Sequence, residues 1–310
     1  MDPKRNGRDM KKEVKGAILT ILGGTCWGIS GSVGQYLFNY EGMVSRWLVP
    51  IRLGLAGILI LIYYFFKDRE LMMKPWKTKR DILELIVYGL LGVSFCQLLY
   101  FLTIQLSSAS IATILQEVSP IFVLMATCLI EKRRPKGFEI GAIILAILGI
   151  VLITTHGNLD SISVSFLAIL AGVGSAFCVM IYNVVPRNLL KKYPVLLLQG
   201  WAFLMGGIFF SVVFQPWTIF YVPSLSGILG ILFVVIIGNI LAFTLYLSGV
   251  RYVGANKGVL YGFAEPVTAA IISCIAFHTT FNFVDLIGFI CVFGMLVMIS
   301  VRGKEEENEG

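Results

Sequence analysis

The stretch from Ser107 to Glu131, S-S-A-S-I-A-T-I-L-Q-E-V-S-P-I-F-V-L-M-A-T-C-L-I-E, decides the fold of this chain. It is long and apolar enough to cross a bilayer, because ~20 helical residues that rise ~1.5 Å each span the ~30 Å of hydrocarbon. Glu117 and Pro120 nevertheless lie in its middle. Pro120 has no N–H group, so the carbonyl oxygen of Gln116 loses its helical partner. A carboxyl group and a loosened backbone are costly in hydrocarbon unless they face a cavity or packed neighbours.

The same pattern returns near the C-terminus, from Gly254 to Phe277, in the stretch G-A-N-K-G-V-L-Y-G-F-A-E-P-V-T-A-A-I-I-S-C-I-A-F. It again holds a carboxyl group, Glu265, and a proline, Pro266, in the middle of an apolar span. We interpret the two stretches as a matched pair of helices, broken at Pro120 and Pro266, that flank a substrate pathway.

The composition indicates a polytopic membrane protein. Hydrophobic residues make up 57% of the 310 residues and charged residues 14%, whereas soluble domains carry about 25% charged residues. The net charge of +7 does not predict binding to nucleic acid, because the basic residues lie in short loops between apolar runs. The six cysteines all lie inside apolar runs, where no disulfide framework is expected.

Ten apolar segments are predicted to cross the membrane. Their approximate bounds are 14–37, 45–66, 82–104, 108–130, 137–155, 163–185, 195–214, 226–248, 256–277 and 283–301. Ten spans place 23 of the 25 Lys and Arg residues on one side, and the other two are Arg46 and Arg52. The positive-inside rule therefore predicts a multi-pass protein of the cell membrane with both termini in the cytoplasm.

The chain contains an internal repeat. Several residues recur at a spacing of 146, namely Leu99-Tyr100 with Leu245-Tyr246, Ala109 with Ala255, and Pro120 with Pro266. We therefore predict an all-α integral membrane fold with ten transmembrane helices in two five-helix repeats. The repeats are inverted, since five is an odd number, and such repeats build a site near the midplane. The predicted units are a tail at 1–13, a first repeat at 14–157, a second repeat at 158–302 and a tail at 303–310.

These features resemble the drug/metabolite transporter superfamily, in its ten-helix EamA-type branch, over about residues 16–302. The residues that carry the resemblance are Trp27-Gly28, Arg52 with Ala56, Ala109, Ala112, Leu115 and Pro120, Glu131, Gly141 and Gly149, Tyr246, Glu265-Pro266-Val267, Gly288 and Gly294. The chain departs from the pattern at Phe277-His278, where a Gly-Glu pair is usual, and at Ile29-Ser30, which lacks the usual asparagine.

The resemblance implies a secondary, non-ATP carrier of small polar metabolites, often amino acids or related compounds and often exported or exchanged. It also implies alternating access and a cavity lined by helices 1, 3, 4, 6, 8 and 9. The alternatives are a proton-coupled importer of a cationic metabolite, and a membrane subunit that does not transport. We expect no enzymatic activity, cofactor, metal site or nucleic-acid partner, because the sequence shows no phosphate-binding, zinc-binding or nucleophile motif.

Glu265 is the first candidate for chemistry. It lies about eleven residues into its span, close to the predicted midplane. A carboxyl group away from bulk water could exchange a proton during transport or balance a cationic substrate group. It could equally be a hydrogen-bonded carboxyl group that fixes helix packing.

Glu117 is the second candidate, with the same two interpretations. Its equivalent in the repeat is Phe263, whereas the equivalent of Glu265 is Ser119. Two positions on a helix differ by about 200° of rotation. We therefore expect the two carboxyl groups to point to different places.

If one of the two carboxyl groups lines the cavity, Arg52 could be the charge partner of the other. It could also have a structural role, or extend along its own stem toward the outer interface that Arg46 and Trp47 mark. Its equivalent in the repeat is Gln199.

Polar and aromatic side chains within the spans complete the candidate substrate and proton pathway, with helix packing as the alternative role. They are Trp27, Gln97, Tyr100, Gln116, Asn183, Asn239, Tyr246 and Tyr261. The glycine-spaced fifth and tenth helices could support a homodimer, although contact with the lipid bilayer would explain them equally well.

Overall fold

The computed structural model describes residues 3–156, 164–254, 258 and 261–307. Within these residues the regular structure is helical and no strand occurs. Eight helices are long and apolar enough to cross a membrane, and two shorter apolar helices follow them. In chain order the ten are α1 (Lys12–Asn39), α2 (Ser45–Lys67), α3 (Lys79–Leu106), α4 (Ala109–Ile130), α5 (Gly137–Thr155), α6 (Phe166–Val184), α7 (Val195–Phe214), α8 (Leu225–Val253), α9 (Ala264–Phe277) and α10 (Phe283–Ile299).

The ten helices follow the ten predicted spans in order, which confirms the all-α membrane fold. The helix that contains α1 already begins at Pro3, and the helix that contains α10 continues to Glu307. The predicted start of the ninth span at 256, that of the sixth at 163, and the boundary between the repeats at 157–158 lie outside the described residues.

Helix packing displays the two inverted repeats. Helix α1 packs against α8 and α9, and α6 packs against α3 and α4. Each helix of the first group has its repeat equivalent, five helices away along the chain, in the second group. In two other pairs, α2 with α7 and α5 with α10, each helix is the repeat equivalent of the other. We call α1, α8 and α9 the first bundle, and α3, α4 and α6 the second bundle. Each bundle therefore combines helices from both halves of the chain.

The two ends of the molecule are held by equivalent contacts. At one end, Glu41 in the loop after α1 accepts hydrogen bonds from Ser224 (2.5 Å) and Ser226 (2.6 Å) at the start of α8. These hydroxyl donors lower the pKa of the Glu41 carboxyl. At the other end, Asp81 at the start of α3 accepts bonds from Lys192 (2.7 Å) and Tyr193 (2.8 Å) in the loop after α6. Burial, and then the bond to Asp81, raise the pKa of Tyr193 to about 12.

Two pairs of equivalent helices depart from α-helical geometry at equivalent positions. Helix α4 consists of Ala109–Gln116 and Ser119–Ile130, and the turn between them holds Glu117. The turn that precedes α9 is at Phe263, the repeat equivalent of Glu117. In the same way, α3 is π-helical over Val87–Ser94 and α8 over Val234–Leu241. π-helical segments are rare and often occur at functional sites. Here each repeat contains one.

Glycines on α5 and α10 bring these two helices together. A methyl group built on Gly149 would lie 2.8 Å from the carbonyl oxygen of Gly288, and one on Gly288 would lie 3.0 Å from that of Gly149. The glycine faces that the sequence suggested for a homodimer therefore pack against each other within one chain. The outer sides of the bundle carry apolar side chains such as Ile147, Val212 and Ile275, each more than half exposed. Such a surface fits contact with lipid.

Helices α2 and α7 approach each other closely at Gly54 and Gly207. A methyl group built on Gly207 would lie 2.5 Å from the backbone nitrogen and Cα of Gly54, and 3.2 Å from the carbonyl oxygen of Pro50. Backbone atoms cannot move aside as a flexible side chain can. A methyl group on Gly54, in contrast, meets no described atom within 4 Å.

Gly207→Ala is therefore expected to destabilise the protein, because overpacking of a tight contact costs about 1–3 kcal/mol. Gly54→Ala on the facing helix is the matched control, and is expected to be neutral or to gain up to about 1 kcal/mol from its better helix propensity. The thermal unfolding midpoints of both variants in detergent test this. Equal midpoints for the two would contradict the described packing of α2 on α7.

Candidate functional site

The two bundles touch where α4 meets α9. Ser110 near the start of α4 donates a hydrogen bond of 2.8 Å to Ser273 near the end of α9, and both side chains are fully buried. Helix α9 packs on the Ala109–Gln116 part of α4. The sequence analysis did not single out either serine as a site residue. The available signal was the small polar residue that each broken helix carries on the same side of the bundle.

Both carboxyl groups lie on the same side of this contact. Glu117 follows Ser110 by seven residues along α4, and Glu265 precedes Ser273 by eight residues along α9. At 1.5 Å per residue, each lies about 11–12 Å from the serine pair along its own helix. The two carboxyl groups are therefore at similar depth, each beside the break of its helix.

Glu265 joins the two bundles. Its Oε1 accepts a hydrogen bond of 3.4 Å from the hydroxyl of Tyr100 on α3. Tyr100 is buried, whereas Glu265 is only partly buried although helices surround it. The carboxyl group therefore points toward α3 of the second bundle.

Glu117 is also partly buried, and it interacts electrostatically with Glu265. Tyr246 on α8 interacts with both carboxyl groups. No hydrogen bond joins the two carboxyl groups among the described residues, and the expectation that they point to different places stays a prediction. Because α4 is broken at Glu117 and a turn at Phe263 precedes α9, the rotation of a straight helix does not apply here.

An aromatic cluster lies beside the carboxyl groups in the first bundle. The Trp27 ring is 5.0 Å from that of Tyr246 and 4.8 Å from that of Phe243, centroid to centroid. The indole N–H of Trp27 donates a 3.0 Å bond to the carbonyl oxygen of Gly238. This carbonyl belongs to the π-helical segment of α8, so the wide turn supplies the acceptor that holds the indole.

Arg52 on α2 is 2% exposed, so its guanidinium group does not extend to the surface of the bundle. Its Nη2 donates to Gln97 Oε1 (3.1 Å) and to Asn239 Oδ1 (2.5 Å), and its guanidinium carbon lies 3.7 Å from the ring centroid of Phe101. A pairing of Arg52 with either Glu117 or Glu265 is not among the ion pairs of the described residues.

The remaining candidates divide into two groups. Gln116 donates a bond of 3.2 Å to Cys96 Sγ on α3, and Tyr261 is partly buried just before the break at Phe263. Both thus lie near the breaks. Asn183 is exposed, and its side-chain N–H donates to the carbonyl oxygen of Val179 in its own helix (2.8 Å). It is the one candidate that the structure does not bring to the site.

A polar cavity of about 360 Å³ lies at the Ser110–Ser273 end of the bundles. Its polar lining includes Gln35, Asn39, Ser107, Ser108 and Thr279. Neither carboxyl group lines it, because the α4–α9 contact lies between them and this end. Over the described range, no group of three His, Cys, Asp or Glu side chains could hold a metal ion.

The chain is similar to known transporters along nearly its whole length. The model of the EamA-like transporter family matches residues 14–155 and again residues 166–301. An "Uncharacterized inner membrane transporter YicL" of Salmonella typhimurium is 32% identical over 94% of this chain and 96% of its own. An "Uncharacterized transporter YetK" of Bacillus subtilis is 24% identical over 98% of this chain and 92% of its own.

A solved crystal structure superposes with a TM-score of 0.63 over 94% of this chain and 99% of its own, at 15% identity. That likeness concerns the fold alone. The duplicated family match falls on the two repeats that the helix packing displays. This multi-pass membrane protein therefore belongs to the EamA-like transporter family.

Proposed function

We propose that this protein is a secondary, non-ATP transporter of small polar metabolites, in particular amino acids or related compounds, that exports or exchanges them by alternating access. One observation carries the proposal. Two helices at equivalent positions of inverted repeats, α4 and α9, meet through Ser110 and Ser273 and hold Glu117 and Glu265 beside their breaks. An intramembrane carboxyl group that faces the interior of a bundle is expected to serve transport.

The inverted repeats provide the structural basis for the movement that alternating access requires. Each bundle has a counterpart that differs only by the shift of five helices, so the two can exchange conformations across the site. In this structure α4 and α9 are closed at the serine pair. In the other state we expect the equivalent contact, at the opposite ends of α4 and α9, to close instead.

We place the repeats at 14–157 and 158–302, with tails at 1–13 and 303–310 in the cytoplasm. The distribution of Lys and Arg supports this orientation in the cell membrane. The serine contact then lies toward the outside, and the pathway below it opens toward the cytoplasm. In that pathway Glu265 and Glu117 exchange protons or hold a cationic group, and Tyr100, Tyr246 and Trp27 form its aromatic wall.

The proposal is tested by flux in vesicles reconstituted with the full chain. Radiolabelled amino acids, amines and nucleosides are offered with and without a pH gradient. We expect at least one compound to move faster than in vesicles without protein. The absence of flux for every class, under both conditions, would contradict the proposal.

Glu265→Gln tests the role of the carboxyl group. It keeps the size of the side chain and its bond to Tyr100 but cannot release a proton. We expect flux in this variant to lose its response to a pH gradient, and the exchange of substrate for substrate that remains to be weaker, because the amide also lacks the charge that holds a cationic group. Glu70→Gln is the matched control, because Glu70 is an exposed carboxyl group outside the bundles. A Glu265→Gln variant that responds to the gradient as the wild type does would contradict proton coupling through Glu265.

Closure of α4 on α9 is tested by a cross-link. Ser110→Cys and Ser273→Cys are combined in a chain whose six native cysteines are replaced. The 2.8 Å separation of the two hydroxyl oxygens places the side chains close enough for a disulfide bond. We expect oxidation to stop flux and a reducing agent to restore it, with either single variant unaffected. Undiminished flux through the cross-linked protein would show that this contact need not open.

A further inference from the structure

The Arg52 guanidinium is a buried cation whose hydrogen-bonding capacity is largely unused. Arginine carries five N–H donors and no acceptor. Only Nη2 has acceptors here, and for Nε and Nη1 no acceptor occurs among the described protein atoms. A buried charge without a counter-charge is costly. Arg52 therefore has the donors and the charge to bind an anion.

Asn239 adds a further donor at the same place. Its Oδ1 accepts from Arg52, which leaves Nδ2 as its free group, and Nδ2 also has no acceptor in the described part of the chain. Asn239 is 1% exposed. Two adjacent buried side chains thus offer N–H donors only. This combination matches a carboxylate, which accepts hydrogen bonds through two oxygens and carries the opposite charge.

Gln97 on α3 is the least buried side chain of this polar group. It is partly buried, and its Oε1 accepts from Arg52 at 3.1 Å. A neutral amide oxygen is a weaker partner for a guanidinium group than a carboxylate oxygen. An incoming carboxylate can therefore displace Gln97, whereas Phe101 continues to cover one face of the guanidinium at 3.7 Å.

Tyr100 connects this place to Glu265. Gln97 and Tyr100 lie one turn apart on α3, and Tyr100 donates to Glu265. Tyr100 interacts electrostatically with both Glu265 and Arg52. The pathway thus has a donor-rich, positive end at Arg52 and an acidic end at Glu265, with the Tyr100 ring between them.

We propose that Arg52 and Asn239 form the binding site for a carboxylate group of the substrate, while Glu265 receives its ammonium group. This inference rests on the proposed transport function and narrows the substrate to small molecules that carry both groups. An inorganic anion at Arg52, or a purely structural arginine, are the competing roles.

The first test compares three forms of each substrate in vesicles that hold the full wild-type chain. Each of the twenty common L-amino acids is offered together with its methyl ester and its decarboxylated amine. The ester and the amine keep the ammonium group but lack the negative charge. We expect the acid to be preferred by about tenfold or more in kcat/KM, which is the value of a charge-assisted hydrogen bond.

The second test removes the cation. Arg52→Gln is expected to lower the flux of the acid by about tenfold or more and to leave that of the ester nearly unchanged, so that the preference disappears. Arg52→Lys keeps the charge but not the planar fork, and should keep part of the preference. Arg46→Gln, an exposed arginine on the same helix, is the matched control. If Arg52→Gln fails to fold, the Arg52→Lys variant and the ratio of acid flux to ester flux in the wild type still test the inference.

Several outcomes would overturn the inference and leave the transport function standing. These are equal flux of acid and ester in the wild type, flux of amines only, and an unchanged preference for the acid in a folded Arg52→Gln variant. A dependence on chloride that is the same for acid and ester would assign Arg52 to an inorganic anion, and would also overturn it. Absence of any flux would instead contradict the transport function itself.

Discussion

The structure depends on one constraint, which is that polar groups inside a membrane bundle must find partners within the protein. Where α4 and α9 break, backbone groups and two carboxyl groups need neighbours that lipid cannot supply. The chain meets this need by placing both breaks between the two bundles, where Tyr100 donates to Glu265 across them. The π-helical segment of α8 is a second example, since its Gly238 carbonyl oxygen accepts a hydrogen bond from the indole N–H of Trp27.

The inverted repeat determines what these breaks can do. Contacts at the two ends of the molecule are equivalent, with Glu41 holding α8 at one end and Asp81 holding the loop after α6 at the other. The serine pair closes α4 on α9 at one end only. The proposed alternating access requires a second conformation of comparable energy, in which the equivalent contact at the opposite end closes instead.

Much of this organisation could be predicted from the sequence, because hydropathy and charge fix the spans, and Pro120 and Pro266 mark the breaks. The π-helical turn at Val87–Ser94 could not, since its residues, Gly89 and Gly92 included, do not distinguish a π-helix from an α-helix. The positions of Glu117 and Glu265 relative to each other could not either, because they depend on the angle at each break. The partners of Arg52 required the three-dimensional packing of α2, α3 and α8, which brings together residues almost two hundred positions apart.

The scaffold is symmetric, but its polar groups are not. Arg52 in one repeat corresponds to Gln199 in the other, and Gln199 accepts from Tyr88 rather than offering a charge. Glu265 likewise corresponds to Ser119. A symmetric pair of bundles could hold a symmetric ligand in two equivalent orientations. Because the positive group belongs to one repeat and Glu265 to the other, the proposed transport would hold a ligand with unlike ends in one orientation while the bundles exchange conformations around it.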